Sequence, residues 1–166
     1  MSIRFAILTI SDRSWAGERD DLSGPALESL IQNTGWKVCI KDILPDDMEL
    51  IKAKLIEWCD SGQLDVIVTS GGTGFSPRDI TPEATLAIIE RNAPGLSEAM
   101  RSASLKITPH GMLSRGISGI RGNSLIVNLP GSPKAAVENL QTILEVLPHA
   151  VQLLRNDPSA ESTHSK

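Results

Sequence analysis

Residues 69–85 read TSGGTGFSPRDITPEAT, so Gly71, Gly72, Thr73 and Gly74 follow the largely apolar run Leu64–Val68 and precede Pro77-Arg78-Asp79. Glycines let backbone N–H groups come close to an anion, and a helix opening near Pro82 would aim its positive end into the same space. A phosphate fits such a turn, and so does a plain strand-to-helix connection that needs positive φ. Neither familiar nucleotide loop is present: the Gly-Lys-Ser/Thr ending of a Walker loop is missing, and Pro77 stands where GxGxxG needs its third glycine. A second turn of this kind, LPGSPKA, carries Pro130, Gly131 and Ser132 to another helix start. Ser132 alone reads as an N-cap. Arg78 and Lys134 are the cations nearest the two turns, and a chain of net charge −4 needs such local donors to hold an anionic ligand.

Three carboxylates complete the chemistry. Asp12, Asp46 and Asp79 each follow an expected strand, and acids facing phosphates require a hard cation such as Mg²⁺ between them or a proton to accept. That combination reads as metal-assisted phosphoryl or nucleotidyl transfer. Asp46 also has a purely structural reading, because an N-cap with Glu49 three residues on is a capping-box pattern that places Asp47 at the first helical position. Asp79 precedes the expected cap Thr81 and has only a local turn bond as its structural excuse.

The positioning elements alternate. RFAILTI (4–10) reads as a strand, 25–34 as a helix with Pro25 in its first turn, 36–44 as a strand, 46–61 as a helix, and 64–69 as a strand buried on both faces. A helix follows from Thr81 until Pro94-Gly95 break it, with Glu83 in its positive first turn. LSEAMRSASL forms another. Residues 108–123 are a loop and short strand ending in a Gly-Asn turn; SLIVNL (124–129) is a buried strand, and 134–155 are helical with an interruption near Pro148. The expectation is a three-layer α/β/α sandwich on a mostly parallel sheet with an antiparallel element at 113–129. Ligands then lie outside the carboxyl ends of the strands.

With 166 residues the chain fits one domain, 1–155, followed by a polar tail, 156–166, expected to be disordered. No run approaches the ~20 apolar residues of a membrane helix, which implies a soluble cytoplasmic protein without a membrane partner. Absence of Tyr and of any Lys/Arg-rich tract argues against nucleic acid. Cys39 and Cys59 read as buried reduced thiols, and the scattered His110, His149 and His164 give no structural metal site.

The glycine stretch together with ILTISDR, SGPAL, LPDD, PGLSEAMR and SLKITPHGMLSRGISGIRGNSLIVNLPGSPKA closely resembles the molybdopterin adenylyltransferases of the MogA family and the matching G domains of plant and animal fusion proteins, from about residue 4 to 155. The resemblance implies a molybdopterin-binding-like fold, a homotrimer, and adenylylation of molybdopterin by ATP and Mg²⁺ with release of pyrophosphate. The product would pass to a molybdenum insertion protein. The family's functional carboxylates fall on Asp46 and Asp79, which are also the candidate Mg²⁺ ligands. Its nucleotide loop falls on Gly71–Gly74, and Asp12, Glu83, Ser114, Pro130, Gly131 and Ser132 line the shared cleft.

Two alternatives compete. A MoaB-like module would bind the pterin without chemistry; some members of that branch lack the acid after the second strand or the PRD, and this chain carries both. A nucleotide pyrophosphatase of the competence-damage type shares the fold, but its loop resembles GGLGPTxDD rather than GGTGFSPRD.

Overall fold

The computed structural model describes residues 1–158. Strands β1 (Arg4–Ile10), β2 (Lys37–Leu44), β3 (Val66–Ser70), β4 (Arg91–Asn92), β5 (Ser118–Arg121) and β6 (Ser124–Leu129) form one sheet in the order β2-β1-β3-β6-β5-β4. β2, β1, β3 and β6 run parallel, whereas β5 is antiparallel to both its neighbours. The expected antiparallel element is therefore the β5–β6 hairpin, closed by Gly122-Asn123 with Gly122 at φ +55°.

Strand periodicity explains why the apolar runs have so few polar breaks. Phe5, Ile7, Val66, Val68, Leu125, Val127 and Leu129 point to one face, where they meet Leu27, Met100, Leu140 and Val151. Ala6, Leu8, Ile10, Ile67 and Ile126 point to the other, against Ile51, Leu55, Trp58 and Ile88. A single-turn helix, α1 (Asp12–Trp15), follows β1. Helices α2 (Ser23–Asn33), α5 (Pro94–Leu105), α6 (Pro133–Ile143) and α7 (Leu147–Leu154) supply the first layer, and α3 (Met48–Asp60) and α4 (Thr81–Leu86) the second. The three-layer α/β/α architecture is as expected, and so is the break before Pro148, where a 3-10 turn separates α6 from α7.

Four local expectations need correction. The helix after Thr81 stops at Leu86 and the chain turns extended, with Glu90 N–H and Ala93 N–H donating to the carbonyls of Ile120 and Ser118. Pro94 opens α5 and disfavours helix in the residue before it, which favours this edge pairing. Cys39 is exposed, because β2 is an edge strand whose side chains are only partly covered; Cys59 is buried as expected, and burial pushes its thiol up to about 12. Thr81 is the first residue of α4 rather than its cap, and its hydroxyl donates to Gly71 O at 2.9 Å. α3 starts at Met48 with Asp47 as its N-cap, so Asp46 is not the cap. Of the tail, Asn156 and Asp157 are tied to α7 by backbone bonds to Leu153 and Gln152, and residues 159–166 lie outside the described residues.

At the opposite end from the glycine turns, Asp65, 2% exposed, accepts from Arg4 N (2.8 Å), Arg4 Nε (3.1 Å) and Arg155 Nε (3.0 Å). Burial works to raise its pKa, but the hydrogen bonds from Arg4 and Arg155 outweigh it and hold the carboxyl below its ordinary value. A carboxyl depressed in the folded state stabilises above its unfolded pKa of about 4, and that contribution disappears as pH falls through the folded value. Asp65→Asn is expected to cost roughly 1.5–3 kcal/mol at pH 7 and to flatten the acid limb of a plot of urea midpoint against pH. Parallel acid limbs for the two proteins would remove Asp65 from the stability account.

Candidate functional site

The chain runs outward in one direction from β1 to β2 and in the other from β1 to β3 and β6, so the order reverses between β1 and β3. Outside such a reversal the carboxyl-end loops part and leave a crevice. Here the crevice is bordered by the segment after β1 with Asp12, that after β2 with Asp46, the glycine turn after β3, and the PGS turn after β6. The ladder continues into the loops, with Ser11 N–H donating to Leu44 O at 2.9 Å and Gly71 N–H to Leu129 O at 3.1 Å.

Gly71 has φ +107°, and a Cβ there would lie 2.2 Å from Ile10 O; Gly72 has φ +65°, and a Cβ there would lie 2.3 Å from Thr81 Oγ1 and 3.0 Å from Asp46 Oδ1. Glycine is thus required by both conformation and space. The two glycine turns touch: a Cβ on Gly131 would sit 3.3 Å from Gly71 Cα. Ser70 Oγ, at the end of β3, donates to Pro130 O at 2.8 Å and Ser23 Oγ, at the start of α2, to Gly131 O at 2.7 Å, which ties the second turn to both elements. Ser132 accepts from Ala135 N and caps α6, in line with its structural reading.

Asp46 and Asp12 interlock. Asp12 N–H donates to Asp46 Oδ2 at 3.2 Å, and Asp46 N–H to Asp12 Oδ1 at 2.9 Å. Burial raises the pKa of Asp46, and the negative charges of Asp12 and Asp79 add to the effect. Asp12 goes the other way: partial burial is outweighed by the bonds from Arg78, and the pKa falls. Arg78 holds Asp12 with a two-pronged contact, Nε to Oδ2 at 2.9 Å and Nη2 to Oδ1 at 2.8 Å. Asp79 Oδ2 accepts from Ser76 N–H at 3.2 Å, the local turn bond foreseen for it, and lies 2.9 Å from where a Gly74 Cβ would be.

Two cavities flank the glycine turn. One of about 490 Å³ is lined by Asp12, Asp46, Gly71, Arg78 and Ser132 among others. The other, about 430 Å³, is lined by Thr73, Gly74, Ser114, Pro130, His110 and Asn139 among others. Gly72, Asp79 and Gly131 belong to both walls. Two of the expected cleft residues line neither. Lys134 is 81% exposed and sits 3.8 Å from Glu138 on its own helix. Glu83 is paired with Arg115, whose bonds outweigh burial and lower the carboxyl's pKa.

Arg115 itself escaped the reading of the sequence, as did the buried Asn128, which donates to Thr69 Oγ1 at 3.0 Å and Thr85 Oγ1 at 2.9 Å. Thr85 in turn donates to Thr81 O. The only local signal for Arg115 was its place beside Ser114 in a loosely patterned stretch.

The cap assignment is directly testable. Asp47 accepts from Leu50 N–H at 3.0 Å, so Asp47→Ala is expected to lower stability by about 1 kcal/mol in urea unfolding without disturbing the cleft. An unchanged midpoint would return the cap to Asp46.

The profile of the family described as "probable molybdopterin binding domain" matches residues 6–149. The molybdenum cofactor synthesis protein cinnamon of Drosophila melanogaster is 48% identical over 99% of this chain, which spans only 28% of the fly protein's length. The molybdopterin adenylyltransferase of Helicobacter pylori (strain ATCC 700392 / 26695) is 41% identical over 92% of this chain and 88% of its own. A crystal structure of the molybdopterin biosynthesis enzyme MoaB from Thermus thermophilus superposes with a TM-score of 0.88 at 46% identity, covering 94% of this chain and 98% of that one. Shared sheet topology alone would not bring sequence identity of this extent with it: the chain belongs to the molybdopterin-binding-domain family.

Proposed function

We propose that the protein is a molybdopterin adenylyltransferase of molybdenum cofactor biosynthesis, transferring AMP from Mg-ATP to the terminal phosphate of molybdopterin. One observation carries this reading: two carboxylates, Asp46 and Asp79, border a pair of touching glycine turns that form the common wall of two cavities. Each cavity has room for one ligand, and the shared wall brings their phosphates together. A phosphate oxygen of molybdopterin attacks the α-phosphorus of ATP, the bond to the bridging oxygen breaks, and pyrophosphate leaves. The nucleophile comes with the substrate, so the protein contributes position and charge.

Asp46 and Asp79 fit a Mg²⁺ ion that completes its shell with substrate oxygens, since this ion is commonly held by one or two carboxylates plus phosphates. Such an ion would neutralise charge on the triphosphate during transfer. Backbone N–H groups of the glycine turn cradle phosphate, and Asp12 holds Asp46 in place through the paired backbone bonds. Arg78, now on Asp12, is within the same cavity to receive an anionic oxygen in exchange.

The test is to mix the protein with molybdopterin, ATP and Mg²⁺ and to measure pyrophosphate. Release that depends on molybdopterin is expected, and none from folded protein overturns the reading. A binding module without chemistry predicts pterin affinity and no pyrophosphate; retention of both carboxylates favours the transferase. On the resemblance to the family rest three further parts of the proposal: a homotrimer, a cytoplasmic location and hand-over of the product to a molybdenum insertion protein. Among the described residues no helix is long and apolar enough to cross a membrane. Sedimentation at micromolar concentration tests the trimer, and a monomer would refute it.

A further inference from the structure

Between Gly74 and Asp79 the chain makes an excursion in which residues 75–78 are all exposed. Its backbone bonds are local and few: Asp79 N–H to Ser76 O at 2.9 Å, Ser76 N–H to Asp79 Oδ2 at 3.2 Å and Arg78 N–H to Ser76 Oγ at 3.4 Å, while the Arg78 side chain reaches out to Asp12. The ends of the excursion are joined from outside by a single side chain. Arg115 Nε donates to Gly74 O at 2.7 Å and Arg115 Nη2 donates to Asp79 O at 2.7 Å. Its Nη1 is paired with Glu83, and its backbone N–H donates to Thr73 O at 2.8 Å.

We propose that Arg115 is the positioning residue of this site, a planar fork that fixes the two ends of the 74–79 loop and so determines where the Asp79 carboxylate points, with Glu83 orienting the fork rather than touching a ligand. This rests on the transferase reading of Asp79. The geometry needs arginine: its N–H groups diverge in one plane and reach two carbonyls and a carboxylate at once, whereas a lysine ammonium is a point donor on a flexible stem. The contact is also independent of the loop's own sequence, since Arg115 lies 41 residues from Gly74 and 36 from Asp79 and enters from the segment before β5. Glu83 is expected to matter through Arg115 because it meets the guanidinium's third side and lines neither cavity.

Arg115→Lys and Arg115→Met separate positioning from folding. Both are expected to keep the far-UV circular dichroism of the native protein, to raise amide hydrogen exchange at residues 74–79 at least about tenfold, and to lower kcat for pyrophosphate release by roughly 30- to 100-fold with KM changed less than about threefold. Millimolar guanidinium should restore part of the rate to Arg115→Met and leave Arg115→Lys unaffected. Glu83→Gln should give exchange and kcat intermediate between these and the native protein. Native exchange at 74–79 in Arg115→Lys, or a native kcat, overturns the proposal. So does a pure KM effect, which would make Arg115 a ligand contact. If the unaltered protein transfers no AMP, the functional reading falls, and hydrogen exchange alone still decides whether Arg115 fixes the loop.

Discussion

Replacing either Asp46 or Asp79 by Asn is expected to lower pyrophosphate release by roughly 100-fold or more while leaving the urea midpoint nearly unchanged. The structural part of that expectation follows from the cap: Asp47 terminates α3, so Asp46 has no helix to hold. Its one accepted bond, from Asp12 N–H, can be kept by an amide oxygen, and so can the bond from Ser76 to Asp79. What the amide loses is charge. Asp46 is a half-buried acid that feels Asp12 and Asp79 as well as its own burial, and a protein gains nothing in stability from such crowding. Loss of charge should therefore be neutral or slightly stabilising, the usual mark of a functional acid. Rates and midpoints measured on the same preparations decide the matter. Near-native turnover in Asp46→Asn would shift the chemistry to Asp79 and the glycine turn, and a collapse of the midpoint would make the acid structural.

Gly71→Ala is expected to cost about 3 kcal/mol or more, a loss that brings many small proteins close to unfolding. Two effects combine at this position. The backbone sits at φ +107°, where a side chain is strained, and the new methyl would fall 2.2 Å from Ile10 O, a backbone atom of a central strand that cannot turn aside. Gly35 provides the comparison. It has φ +81° and open space around it, so Gly35→Ala should show the conformational cost alone, about 1 kcal/mol. The difference between the two urea midpoints isolates the close approach of the glycine turn to β1. Equal losses would mean that β1 yields, and that the contact between the loops after β1 and β3 is not what holds the phosphate cradle in shape.

Much of this molecule was legible in local patterns. Unbroken apolar runs such as SLIVNL marked strands covered on both sides, Gly122-Asn123 marked a hairpin, Ser132 marked a helix start, and the spacing of glycines and acids picked out Asp46, Asp79 and both turns. Each of these signals lies within a few residues of the feature it predicts, because side-chain periodicity and turn chemistry act at that range. Other features depended on which segments become neighbours. That β2 is an edge strand, and so leaves Cys39 exposed, follows from the strand order and from nothing in KVCIKDIL itself. The cap belongs to Asp47 because Asp46 is drawn into the interlock with Asp12, 34 residues earlier. Arg78 reaches Asp12, 66 residues earlier, and Glu83 turns to Arg115 instead of the cleft. Most of the elements and the chemistry of their loops are written in local pattern, although α1 and β4 are not; which loops share a wall and which charges are already paired emerges only once the chain has folded. The physical reason is range: a hydrogen bond between residues far apart in the chain leaves no periodic trace in either segment, and its partners are known only when the sheet has set them side by side.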